Sequence, residues 1–447
     1  MANSAAVDMN SWDHGTANNS SHSRSLPWIC WLLTTCFTLF QFLLQLSSGV
    51  MLHEVMHSFT VTALGASIIG SAYYYIYVLL QTPAGMLMDH FKPRYLLTIG
   101  AFISALGCLL FGASTNFYLA ILGRILTGGG CAFAFVGMLH VINEWFPPRN
   151  FSIMTGLGET VGMFGAAFGT VMLAKLLDVF HWRDCMFGAA IILVFIAIAC
   201  WIFIRENEFN VARHKMRKER IPFATRFWLC LKNPLLWLNG LYSGLMFSVI
   251  TVFISLWGIP FLMVKSHFSL TAASTACTAA YIGTAIGSPL YGYFHRLLGK
   301  HKLIFMISAL CTASLSALVI YIPDLSFTMT FLLMFAIGIT CSSYLLNFTL
   351  ALDYGSHKAT TTNLGFTNML SMVTAPLLQP IVGLIMYLAS TEKGSHLHAY
   401  NLHAYNLGLS VVPLALVFAA VIGIYLPEIK AKHPVSVPVQ DPQIAHV

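Results

Sequence analysis

The sequence predicts an all-α membrane protein in which twelve transmembrane helices form two six-helix bundles. Three observations lead there. Apolar residues make up 57% of the 447 and charged residues only 9%, against about a quarter charged in an ordinary soluble domain. The apolar residues fall in runs of about twenty, the length that crosses a hydrocarbon core about 30 Å thick. Lysine and arginine gather on alternate connections, as they do where one set of loops stays in the cytoplasm.

In chain order, residues 1–27 form a polar tail rich in Ser, Asn and His, read as disordered and cytoplasmic. The tail has no basic start, short apolar core or cleavage site of a secretory signal, so the first apolar run is expected to stay as a span. Spans are expected at 28–50, 62–88, 95–113, 117–143, 152–175 and 185–204, together an N-terminal bundle over 28–204. A basic cytoplasmic linker, 205–233, follows. The C-terminal bundle, 234–427, holds spans at 234–262, 270–294, 302–321, 326–350, 360–388 and 404–426, and 428–447 is a second cytoplasmic tail.

With both termini cytoplasmic, the inner segments hold eighteen Lys and Arg, and the outer loops hold four, Lys175, Arg183, Lys265 and Lys393. Arg124 lies inside a span. That asymmetry orients the chain with N- and C-termini inside, and an inner-membrane location is expected. The net charge of +7 is therefore a matter of topology and not of nucleic-acid binding. The linker holds eight basic residues; it reads as a solvated connection held inside by its charge, with recruitment of a protein or anionic lipid as the other possibility.

The ten cysteines form no CxxC pair and lie mostly within apolar runs, which suits free buried thiols. No metal site and no cofactor are expected; His53, Glu54 and His57 are read as ordinary loop polarity or an outer pH-responsive cluster. The absence of a GxxxxGK[ST] loop argues against ATP-driven pumping, and no nucleophile elbow argues for an enzyme.

Two corners repeat. Gly85-Met-Leu-Met-Asp89-His-Phe-Lys92-Pro-Arg94 after the second span matches Gly292-Tyr-Phe-His-Arg296-Leu-Leu-Gly299-Lys300 after the eighth, at an offset of 207. Glu144, Arg149 and Gly156 match Asp353, Lys358 and Gly365 at an offset of 209. The halves thus read as parallel repeats, an architecture of secondary transporters.

The pattern Gly85-x-Leu87-x-Asp89-His90-x-Lys92-x-Arg94 resembles the loop 2–3 signature of the major facilitator superfamily. Gly123-Arg124 with Gly128, Gly129 and Gly130 is similar to that family's fourth-helix pattern. The resemblance covers residues 28–427, with departures: Lys92 replaces a usual Gly, His90 a usual Arg, and Arg296 stands at the second-half Asp position. Helix five has Gly156, Gly158, Gly162, Gly165 and Gly169 but no Gly-Pro, the signature associated with drug–proton antiporters.

The resemblance implies a carrier working by alternating access, with uptake favoured over export of drugs or metabolites. Its partners would be a small polar organic solute (an amino acid, short peptide or organic anion), protons and the bilayer, the protein acting as a monomer. A non-transporting receptor or scaffold is the remaining alternative. It further implies a cytoplasmic gate at Gly85, Asp89, Lys92, Arg94, Glu144 and Arg149, with Arg296, Asp353 and Lys358 opposite. Pairs at a wet surface contribute only about 0–1 kcal/mol each, so several would balance two states.

Two ionisable residues lie within spans, where a charge costs about 2.5–3.5 kcal/mol and needs a cavity or partner. Arg124 is a candidate for a substrate carboxylate or proton-linked switching, or else for a structural bond to backbone carbonyls. Glu159 is a candidate coupling group, because a carboxyl withdrawn from water keeps its proton more readily, or else an inner-gate partner of Arg149 or Arg94. Gln41 and Gln45 share one helix face. With Tyr74, Asn239, Tyr242, Tyr281, Asn347 and Asn368 they are candidate cavity residues or interhelical hydrogen-bond partners. The spacings Gly158-x-x-x-Gly162 and Gly283-x-x-x-Gly287 are expected to let helices pack closely at the junction of the halves.

Overall fold

The fold is taken from a computed structural model that describes residues 25–46, 50–61, 63–147, 150–177, 179–205, 222–298, 301–356, 359–389 and 400–428. Fourteen helices lie among the described residues: α1 Leu26–Leu46, α2 Leu52–Phe59, α3 Ala63–Met88, α4 Pro93–Ala113, α5 Phe117–Trp145, α6 Phe151–Leu177, α7 Trp182–Phe203 and α8 Phe223–Leu231, followed by α9 Pro234–Ser266, α10 Leu270–Leu298, α11 His301–Tyr321, α12 Phe327–Tyr354, α13 Thr360–Ala389 and α14 Leu402–Tyr425. All but α2 and α8 are long. Ten are long and apolar enough to cross a membrane; α3 and α10 are the long helices outside that set. Both carry Tyr, Ser, Thr and Gly, and each packs along another long helix, α3 on α13 and α10 on α6.

The protein is a multi-pass membrane protein turned inside out relative to a soluble one. Large apolar side chains such as Leu79, Phe168, Phe195, Leu388 and Leu414 are exposed, while Gln41, Gln45, Gln81, Arg124, Glu159 and Asn368 are buried. Lipid accepts the former, and only other helices can satisfy the latter.

Helix starts follow local chemistry. Asn116 accepts a hydrogen bond from Leu119 N at the head of α5, Ser326 from Met329 N at α12, and Asn401 from Ala404 N at α14. Asn233 accepts from Leu235 N ahead of Pro234, whose missing N–H is no loss at a first turn. Two helices break their own period. Residues Val249–Gly258 of α9 wind as a π-helix and Ser342–Leu345 of α12 as a 3-10 turn. Such departures re-aim side chains and free carbonyls.

α1 and α3–α7 pack together as one half, α9–α14 as the other. The halves meet along two seams, α3 against α13 and α6 against α10. The repeat read in the sequence reappears as crossed contacts. A Cβ at Gly85 would lie 2.6 Å from Thr361 O, and one at Gly292 would lie 3.0 Å from Ser152 Oγ. The offsets of 207 and 209 turn the first pair into the second. Likewise Gly365 lies against Gln81 O, and Gly156 against Ser288 and Pro289. Both corners, Asp89 with Arg94 and Asp353 with Tyr354, stand on the face that carries α8, here called the linker face.

Several expectations change. The first span is described from Leu26 to Leu46, and α2 is a separate short helix in the connection after the expected 28–50 span. The linker is not wholly a solvated connection: α8 packs on α3, α9 and α13. Lys265, counted among outer-loop charges, is buried in α9, where Nζ donates to Val319 O and, at 3.2 Å, to Ile320 O at the end of α11. Arg183 Nη1 caps the repeat-related end of α4 through Gly112 O and Ser114 O. Gly158 and Gly162 do pack closely, but on Met138 and Phe42 of their own half; Gly283 and Gly287 pack on α12. The seam is served by Gly156, Gly85, Gly292 and Gly365 instead.

Candidate functional site

Two polar layers join the halves within the membrane span. The upper layer comes from α1, α3, α9, α10 and α13. Gln41 Nε2 donates to Gln45 Oε1, as their four-residue spacing allows, and Gln45 Nε2 reaches Met372 Sδ of the other half at 3.4 Å. Tyr74 Oη donates to Gln45 O at 3.4 Å. Tyr74 and Tyr281, equivalent under the 207-residue repeat, are both buried. Ser71 Oγ donates to Gln379 Oε1 at 3.2 Å, and Gln379 Nε2 donates to Thr251 O at 2.8 Å. That carbonyl belongs to the π-wound part of α9, so the irregular helix is tied through α13 to α3.

The lower layer contains Glu159. Its side chain is 1% exposed, Oε1 accepts from Tyr344 Oη of the opposite half, and Oε2 has no hydrogen-bond partner. Tyr344 stands in the 3-10 turn of α12, which swings it toward α6. Asn368, the repeat equivalent of Glu159, donates Nδ2 to Gln81 Oε1 at 2.7 Å and leaves Oδ1 without a partner. Tyr77 faces Gln81 and Asn368, near Glu159, and its hydroxyl is also unpartnered. Buried polar groups left without partners cost about 1–3 kcal/mol each, and three of them in one layer make it the candidate site.

Nearer the linker face the halves are closed. Asp89 Oδ2 accepts from Thr362 Oγ1 at 2.8 Å and Thr362 N at 3.2 Å, so the carboxylate sits at the N-terminus of α13, where the helix dipole favours an anion. Arg226 Nη1 of α8 lies 3.6 Å from the same oxygen. His140 Nδ1 pairs with Thr361 Oγ1 at 3.0 Å, and Thr160 Oγ1 donates to Ala285 O at 2.7 Å across the second seam. Cys230 of α8 donates to Asn363 Oδ1 at 3.3 Å, and burial pushes its thiol up to about 12.

Other sequence-selected residues go elsewhere. Arg124 Nη1 donates to Leu44 O at 3.2 Å, with its guanidinium over Tyr73 and Phe111 inside the N-terminal half. Arg124 and Glu159 make no pair. Arg94 stacks on Trp201 at 4.2 Å within the same half. Tyr242 stacks on Phe305 and bonds Phe305 O, Ser308 and Ser343, all in the C-terminal half. Asn239 and Asn347 brace α9 against α12 by reciprocal Nδ2-to-carbonyl bonds of 2.9 and 2.8 Å. Lys92 and Asp353 are exposed, and Glu144 is half-buried. Arg149 and Lys358 lie outside the described residues, as does the side chain of Arg296.

The sequence reading missed Tyr344, Gln81, Thr362 and Arg226. Tyr344 carries no periodic signal, since its aim depends on the 3-10 turn. The run His53-Glu54-Val55-Met56-His57 has the spacing that places two imidazoles on one helix face, which the expectation of no metal site passed over. Among the described residues no group of three potential metal ligands exists.

The sequence profile of the Major Facilitator Superfamily matches residues 30–380. An uncharacterized transporter from Bacillus subtilis strain 168 is 28% identical over 182 residues, 38% of this chain and 42% of the relative. A probable L-galactonate transporter from Escherichia coli K12 is 25% identical over 302 residues, 63% of this chain and 64% of the relative. The chain therefore spans less than two thirds of the length of either. A bacterial homologue of the human lysosomal transporter Spinster, solved inward-facing and unoccupied, superposes with a TM-score of 0.67 at 16% identity, over 91% of this chain and 98% of that one.

Proposed function

The chain belongs to the Major Facilitator Superfamily, and from that premise we propose that this transporter is a proton-coupled carrier taking up a small polar organic solute. The observation that carries this reading is the Glu159 carboxyl, buried at the meeting of the halves with one oxygen held by Tyr344 and the other unpartnered. A carboxyl there makes its contact to the opposite half only while the halves are together. Proton binding and movement of the halves are therefore linked, because each state is biased by contacts that only it makes.

The layer also restricts the solute. Its unpartnered atoms include two acceptors, Asn368 Oδ1 and, in the ionised carboxylate, Glu159 Oε2, beside the Tyr77 hydroxyl. Arg124 turns to Leu44 O in its own half. A solute that brings N–H donors, such as the ammonium of an amino acid or short peptide, complements such a surface better than an anion alone. The L-galactonate relative makes an organic anion the competing class. In this reading the linker face is cytoplasmic, the membrane is the inner one, the protein acts as a monomer, and Asp89 with α13 forms the inner gate.

Counterflow in proteoliposomes, run with amino acids, short peptides and organic acids with and without a proton gradient, tests the proposal. Glu159→Gln is expected to abolish gradient-driven accumulation and spare exchange. Unchanged accumulation in that variant removes the coupling role.

A further inference from the structure

α8 has two faces with different work. Arg226, Phe227 and Cys230 turn inward, where Arg226 meets Asp89 and Cys230 meets Asn363 beside the N-terminus of α13. Ala224, Thr225, Trp228 and Leu229 turn outward, and Trp228 is 53% exposed. A groove of about 430 Å³ opens on that side, lined by Thr225, Trp228, Leu229, Lys232, Asn233 and Pro234, one cation and no carboxylate. The Lys232 ammonium stands 5.8 Å from the Trp228 ring centre. Below the groove, Trp237 at the foot of α9 is 40% exposed on the lipid side, and its Nε1 donates to Leu231 O, tying α8 to the rim of the span.

We propose that this groove binds the headgroup of an anionic phospholipid from the surrounding bilayer, and that the bound lipid holds Arg226 on Asp89. The chemistry is specific to a lipid in three respects. Tryptophans placed at the end of a span prefer the headgroup level, where a ring meets both acyl chain and water. A lysine beside them offers the cation that a phosphate needs, within a segment of eight basic residues over 205–233. An exposed Trp–Leu edge at the foot of a membrane helix buries itself in acyl chains and leaves its polar end at the surface. A lipid seated there presses α8 onto α3 and α13, and the Arg226–Asp89 pair and the Cys230–Asn363 bond transmit that contact to the closed linker face. The inference stands apart from the identity of the solute and from Glu159.

Hydrogen–deuterium exchange of the full chain tests it, in nanodiscs of phosphatidylcholine alone and of phosphatidylcholine with phosphatidylglycerol. Phosphatidylglycerol is expected to slow exchange over 223–231 and 359–366 by about five-fold, the factor that one basic residue at an anionic surface supplies. Trp228→Ala and Lys232→Gln should each erase the effect, and Lys232→Arg should restore it, with exchange over 234–246 unchanged as the sign of an intact fold. Arg226→Gln should keep the protection of 223–231 and weaken that of 359–366, the Cys230–Asn363 link remaining. Equal exchange in both discs overturns the proposal. So does protection that survives Lys232→Gln, or equal protection by inorganic phosphate in phosphatidylcholine discs. Protection that appears only when a soluble acidic protein is added assigns the groove to a protein partner and overturns the lipid.

Discussion

Single residues in this protein are placed by the expense of burying polarity. Arg124 lies within a span and Lys265 near the end of one, both buried, and both donate to backbone carbonyls. Lys265 satisfies the last carbonyls of α11, which have no helical N–H to accept. Lys265→Met strands them in an apolar setting at about 1–3 kcal/mol each. Thermal unfolding in detergent should show a lower midpoint for that variant, and no change would mean that water already serves those carbonyls. Glu159 differs from both cations, since its one partner belongs to the opposite half. Its neutralisation is accordingly expected to alter coupling more than stability.

Helices in this protein meet where side chains are missing. Gly85 and Gly365 bring α3 and α13 together so closely that a Cβ at either would meet backbone oxygen at 2.6 or 2.5 Å. Backbone cannot give way as the end of a side chain can, so Gly85→Leu must push the linker ends of these helices apart. Cys230 reports that movement. Its thiol is buried, with burial and the nearby Asp89 charge pushing it up to about 12, so at pH 7.5 it is almost wholly neutral and inert. In Gly85→Leu the thiol gains water and returns toward about 8.5. Maleimide labelling of Cys230, followed by peptide mass spectrometry, is expected to rise at least ten-fold; labelling equal to that of the parent would show the seam still shut.

In the mechanism proposed above, the two halves are levers, and their linker ends touch at repeat-related points. The Gly85–Thr361 contact has an acidic neighbour, Asp89, lodged at the N-terminus of α13. The related position beside α6 is Arg296 in the sequence, a charge that a helix N-terminus disfavours. The proposed gate thus carries unlike charges in the sequence at its two repeat-related points. Ser152→Cys with Gly292→Cys tests the lever, since the Gly292 Cβ position lies 3.0 Å from Ser152 Oγ, close enough for a disulfide. Oxidation should arrest transport, and reduction should restore it. Undiminished transport by the cross-linked protein would mean that the second seam does not open during turnover.

The amino-acid sequence alone determined the membrane, the helix succession and the repeat. Run length, scarce charge and two corner motifs at offsets of 207 and 209 are properties of the chain read in one dimension. Gly85, Asp89 and Glu159 were legible as important because glycine beside a charge, and a carboxyl inside an apolar run, are improbable without a purpose. Which partner each one meets was a matter for tertiary structure. Asp89 finds Thr362 and Arg226, at separations of 273 and 137 residues, and Glu159 finds Tyr344 through a 3-10 turn. Periodicity predicts which face a residue shares with its own helix, and it carries no information on where a distant helix breaks its winding or which face it turns to the seam.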